Sequence, residues 1–223
     1  MISIVVDDRE IFVEEGKNLL QACLDEGIYI PNLCFMVGME NPPGSCRLCF
    51  VEINHQERPV SACRTRTAAG MVVRTDSSAV RRLQRAAFRL LRSAHRIDCR
   101  NCPSNRRCEL QRLARFLTVP LKPKRLDHLV RECSRAEEHP FFDYDPSKCV
   151  LCGRCVYICR KLHGHALLTF ARRGFQTVVS SFGADNPSAL PCKDCRACVD
   201  VCPVSAIFLK EDAQPKPSCE ANS

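Results

Sequence analysis

The sequence predicts an α+β chain assembled from small, cysteine-bound modules rather than around one large apolar core. Three observations carry that expectation. Eighteen of the 223 residues are cysteine, far above ordinary usage. Only 6% are aromatic and none is Trp, so large apolar anchors are scarce and cross-links must take their place. Short segments of period two alternate along the chain with segments of helical period.

So many cysteines signal either disulfides or metal ligation. Residues 1–9 show no basic stretch leading into a long apolar one, so no secretory signal is expected, and disulfides need an oxidising compartment. The apolar runs are only a few residues long, too short to span a bilayer. The expectation is a cytoplasmic chain whose thiols bind metal, with membrane association only through partners.

The N-terminal module comes first. Residues 2–6 and 11–13 read as strands about an Asp7-Asp8 turn. Leu19, Leu20, Cys23 and Leu24 recur at helical spacing, with Gly27 as the stop. Cys23 falls on that apolar face and reads as a buried, inert thiol. Cys34, Cys46, Cys49 and Cys63 follow as C-x11-C-x2-C-x13-C. The central C-x2-C and distant fourth cysteine match plant-type 2Fe–2S spacing, although the first gap is longer. Gly38, Pro42, Pro43 and Gly44 suit a loop wrapping a cluster closely. A four-cysteine zinc site is the competing reading. Strands over 48–53, 59–62 and 71–74 would complete a small mixed sheet, a β-grasp ferredoxin-like domain over 1–76.

Residues 77–94 form the clearest helix, with Val80, Leu83, Ala87, Leu90 or Leu91, and Ala94 on the apolar side. Arg81, Arg82, Arg85, Arg89 and Arg92 read mostly as a solvated face. His95-x3-Cys99-x2-Cys102-x5-Cys108 follows, and then a helix with Leu110, Leu113 and Leu117 on one stripe. One His and three Cys suit zinc or a 4Fe–4S cluster equally on spacing. Their position between two ferredoxin-like units favours the cluster. A neutral histidine in place of a thiolate should raise its potential. Residues 120–125 read as a stiff connector, closing a helical domain over 77–125.

The third domain, over 126–211, carries the most specific signal. Cys149, Cys152, Cys155 and Cys159 form C-x2-C-x2-C-x3-C, and Cys192, Cys195, Cys198 and Cys202, followed by Pro203, repeat it. In bacterial two-cluster ferredoxins the fourth cysteine of such a run ligates the other cluster. On that rule Cys149, Cys152, Cys155 and Cys202 hold one 4Fe–4S cluster, and Cys192, Cys195, Cys198 and Cys159 hold the second. Zinc, usually held by two separated pairs, fits a triplet plus one poorly. Strands are expected over 169–171, 177–179 and 206–209. Cys133 fits no ligand set, and Cys219 lies in a tail over 212–223 that reads as disordered.

A formal net charge of +8 would suggest an anionic partner. Clusters held by fifteen cysteines and one histidine would contribute about −7, leaving about +1. The basic residues then serve as counter-charges, and no nucleic-acid partner is expected.

The order of motifs resembles the N-terminal iron–sulfur region of the large subunit of respiratory complex I. It resembles still more the accessory domains preceding the catalytic domain in large iron-only hydrogenases, and a similar module occurs in NAD-linked formate dehydrogenases and in the diaphorase part of soluble NAD-linked hydrogenases. The resemblance covers roughly residues 1–211. It implies one 2Fe–2S cluster and three 4Fe–4S clusters on the residues named above. Keeping both ferredoxin ligand sets departs from the usual complex I pattern and favours the hydrogenase-like and formate-dehydrogenase-like relatives. The residues include no molybdopterin-type domain and no G-x-G-x-x-G fingerprint. The resemblance therefore implies a non-catalytic relay between a flavin-containing, NAD(P)H-binding subunit and a separate catalytic subunit. A rival reading is a basic zinc module contacting nucleic acid or protein through residues 81–125.

Overall fold

A computed structural model describes residues 1–122, 139, 141–164, 167–181 and 191–210. Cys133, Cys219, the end of the proposed connector and the proposed tail lie outside them. The chain divides into two compact units. One comprises residues 1–91 and 113–120, the other residues 92–112 and those from 121 onward. Helices and strands mix throughout, as expected for α+β.

In the first unit, β1 (Ile2–Val6) and β2 (Arg9–Val13) form an antiparallel hairpin. Asp7 and Asp8, at φ 49° and 66°, both take the left-handed conformation of a two-residue turn, which short polar side chains tolerate. Ile4, Val6, Ile11 and Val13 are buried beneath this hairpin. Helix α1 (Leu19–Asp25) buries Leu19, Leu20, Ala22 and Cys23. Burial pushes the Cys23 thiol up to about 12, keeping it protonated. Strands β3 (Phe50–Ile53), β4 (Val60–Ser61) and β5 (Val72–Arg74) complete a sheet of order β2-β1-β5-β3-β4. β5 runs parallel to β1 and antiparallel to β3.

The expected long helix is α2 (Ser78–Ser93), but its inner face is rotated from the expected stripe. Leu83 and Leu90 are 37% and 70% exposed, whereas Gln84 and Phe88 are fully buried beside Val80 and Ala87. Gln84 is tolerated because its Nε2 donates to the carbonyls of Phe50 and Thr75, at 3.1 and 3.4 Å, while its Oε1 accepts from Arg81 at 3.0 Å. Two of the arginines bind carbonyls, and one of them, Arg92, is buried rather than solvated. Arg85 Nε donates to Leu117 at the end of α3 (Glu109–Leu117), at 3.0 Å, where helix carbonyls lack partners. Arg92 Nη1 donates to Leu121 at 3.4 Å.

In the second unit, β6 (Phe142–Tyr144) pairs antiparallel with β9 (Ile207–Leu209), and β7 (Leu168–Ala171) with β8 (Val178–Ser181). Helix α4 (Arg154–His163) starts within the first cysteine run. Two single-turn helices, α5 (Cys192–Cys195) and α6 (Ala197–Asp200), carry the first three cysteines of the second run, and Cys202 follows α6. Among the described residues, no helix is long and apolar enough to cross a membrane.

Candidate metal centres

The first thiol group is built by the loop between α1 and β3 and by the turn Ala62–Arg64. Cys34, Cys46, Cys49 and Cys63 are all buried. The wrapping loop is pinned from that turn: Arg64 Nη1 donates to Pro42 and Arg66 Nη2 to Glu40, each at 3.0 Å. Gly44, at φ 63°, lies so close to Arg64 that a Cβ there would meet Cδ at 2.9 Å. Asn18 ties α1 to the same turn, because its Nδ2 donates to the Cys63 carbonyl at 2.7 Å while its Oδ1 caps Gln21 N–H at 3.2 Å.

The four thiols fall into two pairs. Cys34 and Cys46 lie 3.4 Å apart, and Cys49 shares a hydrogen bond with Cys63. Two thiolates on one tetrahedral metal with bonds of about 2.3 Å stand about 3.8 Å apart, so each pair suits one metal atom of a two-metal core. The Cys34–Cys46 hydrogen bond holds Cys34 down at about 6 and pushes Cys46 well up. Cys49 is likewise pushed up, by its bond to Cys63 and then by burial. The pocket therefore resists carrying four bare thiolates, and positive metal atoms would relieve that.

In the second group, His95 is buried and its Nδ1 lies 2.7 Å from the Lys148 carbonyl. A carbonyl only accepts, so Nδ1 carries the proton and Nε2 keeps the lone pair a metal needs. Burial holds the ring below the usual histidine range, favouring that neutral form. The segment is anchored by Arg96, whose N–H donates to Ser147 and whose Nη2 meets Asp145, both at 2.7 Å. Cys108 is close enough to feel Cys102 and Cys99, and burial raises it.

The remaining eight thiols line two cavities. One is lined by Cys149, Cys152, Cys155 and Cys202. The other is lined by Cys159, Cys192, Cys195 and Cys198. The structure thus brings each fourth cysteine to the opposite run. Leu151 at φ 51° and Gly153 at φ 77° curl the first run around its cavity, and Leu151 N–H lies 3.4 Å from Cys149 Sγ. After the second run, Ser205 at φ 46° makes a similar turn, and Ala206 N–H donates to Cys202 Sγ at 3.2 Å. Main-chain donors aimed at sulfur suit an anionic occupant. Burial pushes Cys152 and Cys198 up to about 12. Among the described residues, no group of three or more His, Cys, Asp or Glu side chains is gathered to hold a single metal ion. The thiols surround volumes, which suits a multi-atom core.

Two side chains of the cavity of Cys159, Cys192, Cys195 and Cys198 escape a reading of cysteine spacing. His139 and His163 both line it. For His163 a signal exists, since it follows Cys159 by four residues and α4 brings such positions to one face.

Three family models match the chain in sequence order: a 2Fe-2S iron-sulfur cluster binding domain over residues 1–78, the NADH-ubiquinone oxidoreductase-G iron-sulfur binding region over 84–120, and a 4Fe-4S binding domain over 142–161. The chain is 31% identical to the NADP-reducing hydrogenase subunit HndD of Solidesulfovibrio fructosivorans, an alignment covering 95% of this chain and 36% of that protein. It is 33% identical to a G-type NADH-quinone oxidoreductase protein of Rhizobium meliloti, covering 93% of this chain and 24% of that one. These curated relatives are therefore much longer, and the chain spans about a quarter to a third of them. A crystal structure of an NAD+-reducing nickel–iron hydrogenase in its H2-reduced state contains a chain that superposes with a TM-score of 0.83 at 29% identity, over 97% of this chain and 90% of that one. Along nearly its whole length this chain is similar to the iron–sulfur subunits of NAD(P)-linked hydrogenases and NADH-quinone oxidoreductases, as the order of its motifs implies.

Proposed function

We propose that this chain relays single electrons between a flavin-containing, NAD(P)H-handling subunit and a separate catalytic subunit. The observation that supports the reading best is the pair of cavities, each lined by four thiols drawn from both cysteine runs. On this reading Cys34, Cys46, Cys49 and Cys63 hold a 2Fe–2S cluster in a β-grasp domain. His95, Cys99, Cys102 and Cys108 hold a 4Fe–4S cluster in the helical segment. Cys149, Cys152, Cys155 and Cys202, and Cys192, Cys195, Cys198 and Cys159, hold two more in the third domain. The division into domains at residues 76 and 125, and a cytoplasmic location, belong to the same proposal.

Each cluster, when bound, accepts and releases one electron with little change in geometry. The protein supplies the surroundings. Buried thiols limit water at the Cys34 and Cys149 centres, main-chain N–H groups offset negative charge on sulfur, and the Lys148 carbonyl fixes the His95 tautomer. Substrate chemistry would belong to the partners.

The test is quantitation of iron and acid-labile sulfide, with EPR, on anaerobically purified chain. About fourteen irons per chain are expected from the four clusters. Stoichiometric zinc in a colourless protein would overturn the reading. So would NADH oxidation by the flavin-free chain alone.

A further inference from the structure

The two thiol-lined cavities of the second unit are not equivalent. His163 Nε2 lies 3.4 Å from Cys195 Sγ. A metal-bound thiolate has no proton to give, so a hydrogen bond between them has the imidazole as donor. His139 lines the same cavity, its ring stacked on Phe142 with centroids 3.6 Å apart. The residues lining the cavity of Cys149, Cys152, Cys155 and Cys202 include no histidine. The sulfur donors named there, Leu151 and Ala206, are main-chain groups rather than side chains. Exposure differs in the same sense. At the first site Cys149, Cys152 and Cys155 are buried and Cys202 is half-buried, while at the second Cys192, Cys195 and Cys198 are half-buried and Cys159 is buried.

One-electron reduction adds negative charge that is shared with the sulfur atoms. Hydrogen bonds to sulfur and contact with water stabilise that added charge, and both raise a cluster's potential. The Cys149 site draws its printed sulfur donors from the main chain, whereas the Cys192 site has an imidazole. We infer that His163 raises the potential of the centre held by Cys159, Cys192, Cys195 and Cys198. This assignment rests on the relay reading above.

The test is an EPR-monitored redox titration of the full chain beside His163→Ala and His163→Gln, with iron and sulfide counted in each. The centre is identified as the one lost in Cys192→Ala. His163→Ala should lower its midpoint by on the order of tenfold in the one-electron equilibrium, about 59 mV, and leave the other centres unmoved. His163→Gln, whose amide also donates, should recover part of that shift. An unchanged midpoint in fully loaded His163→Ala overturns the assignment, as does an equal fall in both variants. If neither variant loads, pulsed EPR on the chain carrying His139→Phe and labelled with 15N-histidine decides, because His139 lines the same cavity. A weak imidazole coupling on the Cys192 centre there supports the assignment, and its absence overturns it. Native chain lacking iron at these thiols would overturn the relay reading as well, so the two failures are distinguishable.

Discussion

Cys159 lines the cavity of Cys192, although in sequence it closes the run that begins at Cys149. Helix α4 carries Cys155 and Cys159 one turn apart, and the two thiols serve different cavities. The two runs are thereby interlocked. Cys159→Ala should remove or convert the centre of Cys192, Cys195 and Cys198 while sparing that of Cys149, Cys152 and Cys155. Cys202→Ala should do the reverse. EPR of the reduced variants, together with iron counts, checks both. If Cys159→Ala perturbed only the Cys149 centre, each run would ligate its own cluster and the crossed arrangement would fall.

Gly44 makes a separate prediction. Its φ of 63° is costly for a side-chain-bearing residue, and a Cβ would press on Arg64 Cδ at 2.9 Å. Arg64 is also the donor that pins Pro42. Gly44→Ala should therefore destabilise the first unit by about 1–3 kcal/mol, combining the left-handed penalty with displacement of Arg64. The check is the denaturant midpoint and the rate at which the visible 2Fe–2S absorption is lost. Gly70→Ala is the control, because Gly70 has φ 72° but nothing within 4 Å of the added carbon. Equal losses at the two sites would show that the backbone penalty alone decides.

Asp145 joins the His95 segment to the first cysteine run. Its Oδ2 meets Arg96 at 2.7 Å and Lys148 Nζ at 3.8 Å, and its Oδ1 accepts from Ser147 N–H at 3.0 Å. The carboxylate side chain is only 12% exposed, so it is weakly screened. Asp145→Asn keeps the shape but removes the charge, and should cost about 1–3 kcal/mol. It should also loosen the Lys148 carbonyl that orients His95, broadening the EPR signal of the His95 centre. An unchanged spectrum with lowered stability would confine Asp145 to folding.

Much of this arrangement was legible because metal ligation imposes spacing directly on the sequence. Two C-x2-C-x2-C-x3-C runs specify a shared pair of cavities without knowledge of the fold between them. The β1–β2 hairpin was legible for a similar reason, since Asp7-Asp8 between alternating strands is both a turn and a period marker. The face of α2 was not. Its buried line includes Gln84, a polar residue tolerated only because distant carbonyls of Phe50 and Thr75 meet it. Leu83 and Leu90 fit the helical period equally well and face outward. Strand β6 has three residues, too few for a period, and exists because β9 pairs with it. Buried Arg92 could not be told from a solvated face, because its acceptor lies far along the chain.

Asn18 offers the last prediction, since one side chain serves both fold and site. As the cap of α1 it accepts Gln21 N–H, and it donates to the carbonyl of Cys63, which is itself buried. Asn18→Ala removes the cap, costing about 1 kcal/mol, and leaves the Cys63 carbonyl without that donor, costing about 1–3 kcal/mol more. Asn18→Asp keeps the cap but brings a carboxylate to a carbonyl, so it should restore helix capping without restoring the turn. Both variants should therefore release the 2Fe–2S cluster faster than the native chain, and they should differ from each other in global stability. Chelator-challenge kinetics followed by absorbance, with denaturation curves, separate the two effects. Cluster loss at the native rate in both variants would show that the Asn18–Cys63 hydrogen bond does not hold the site closed.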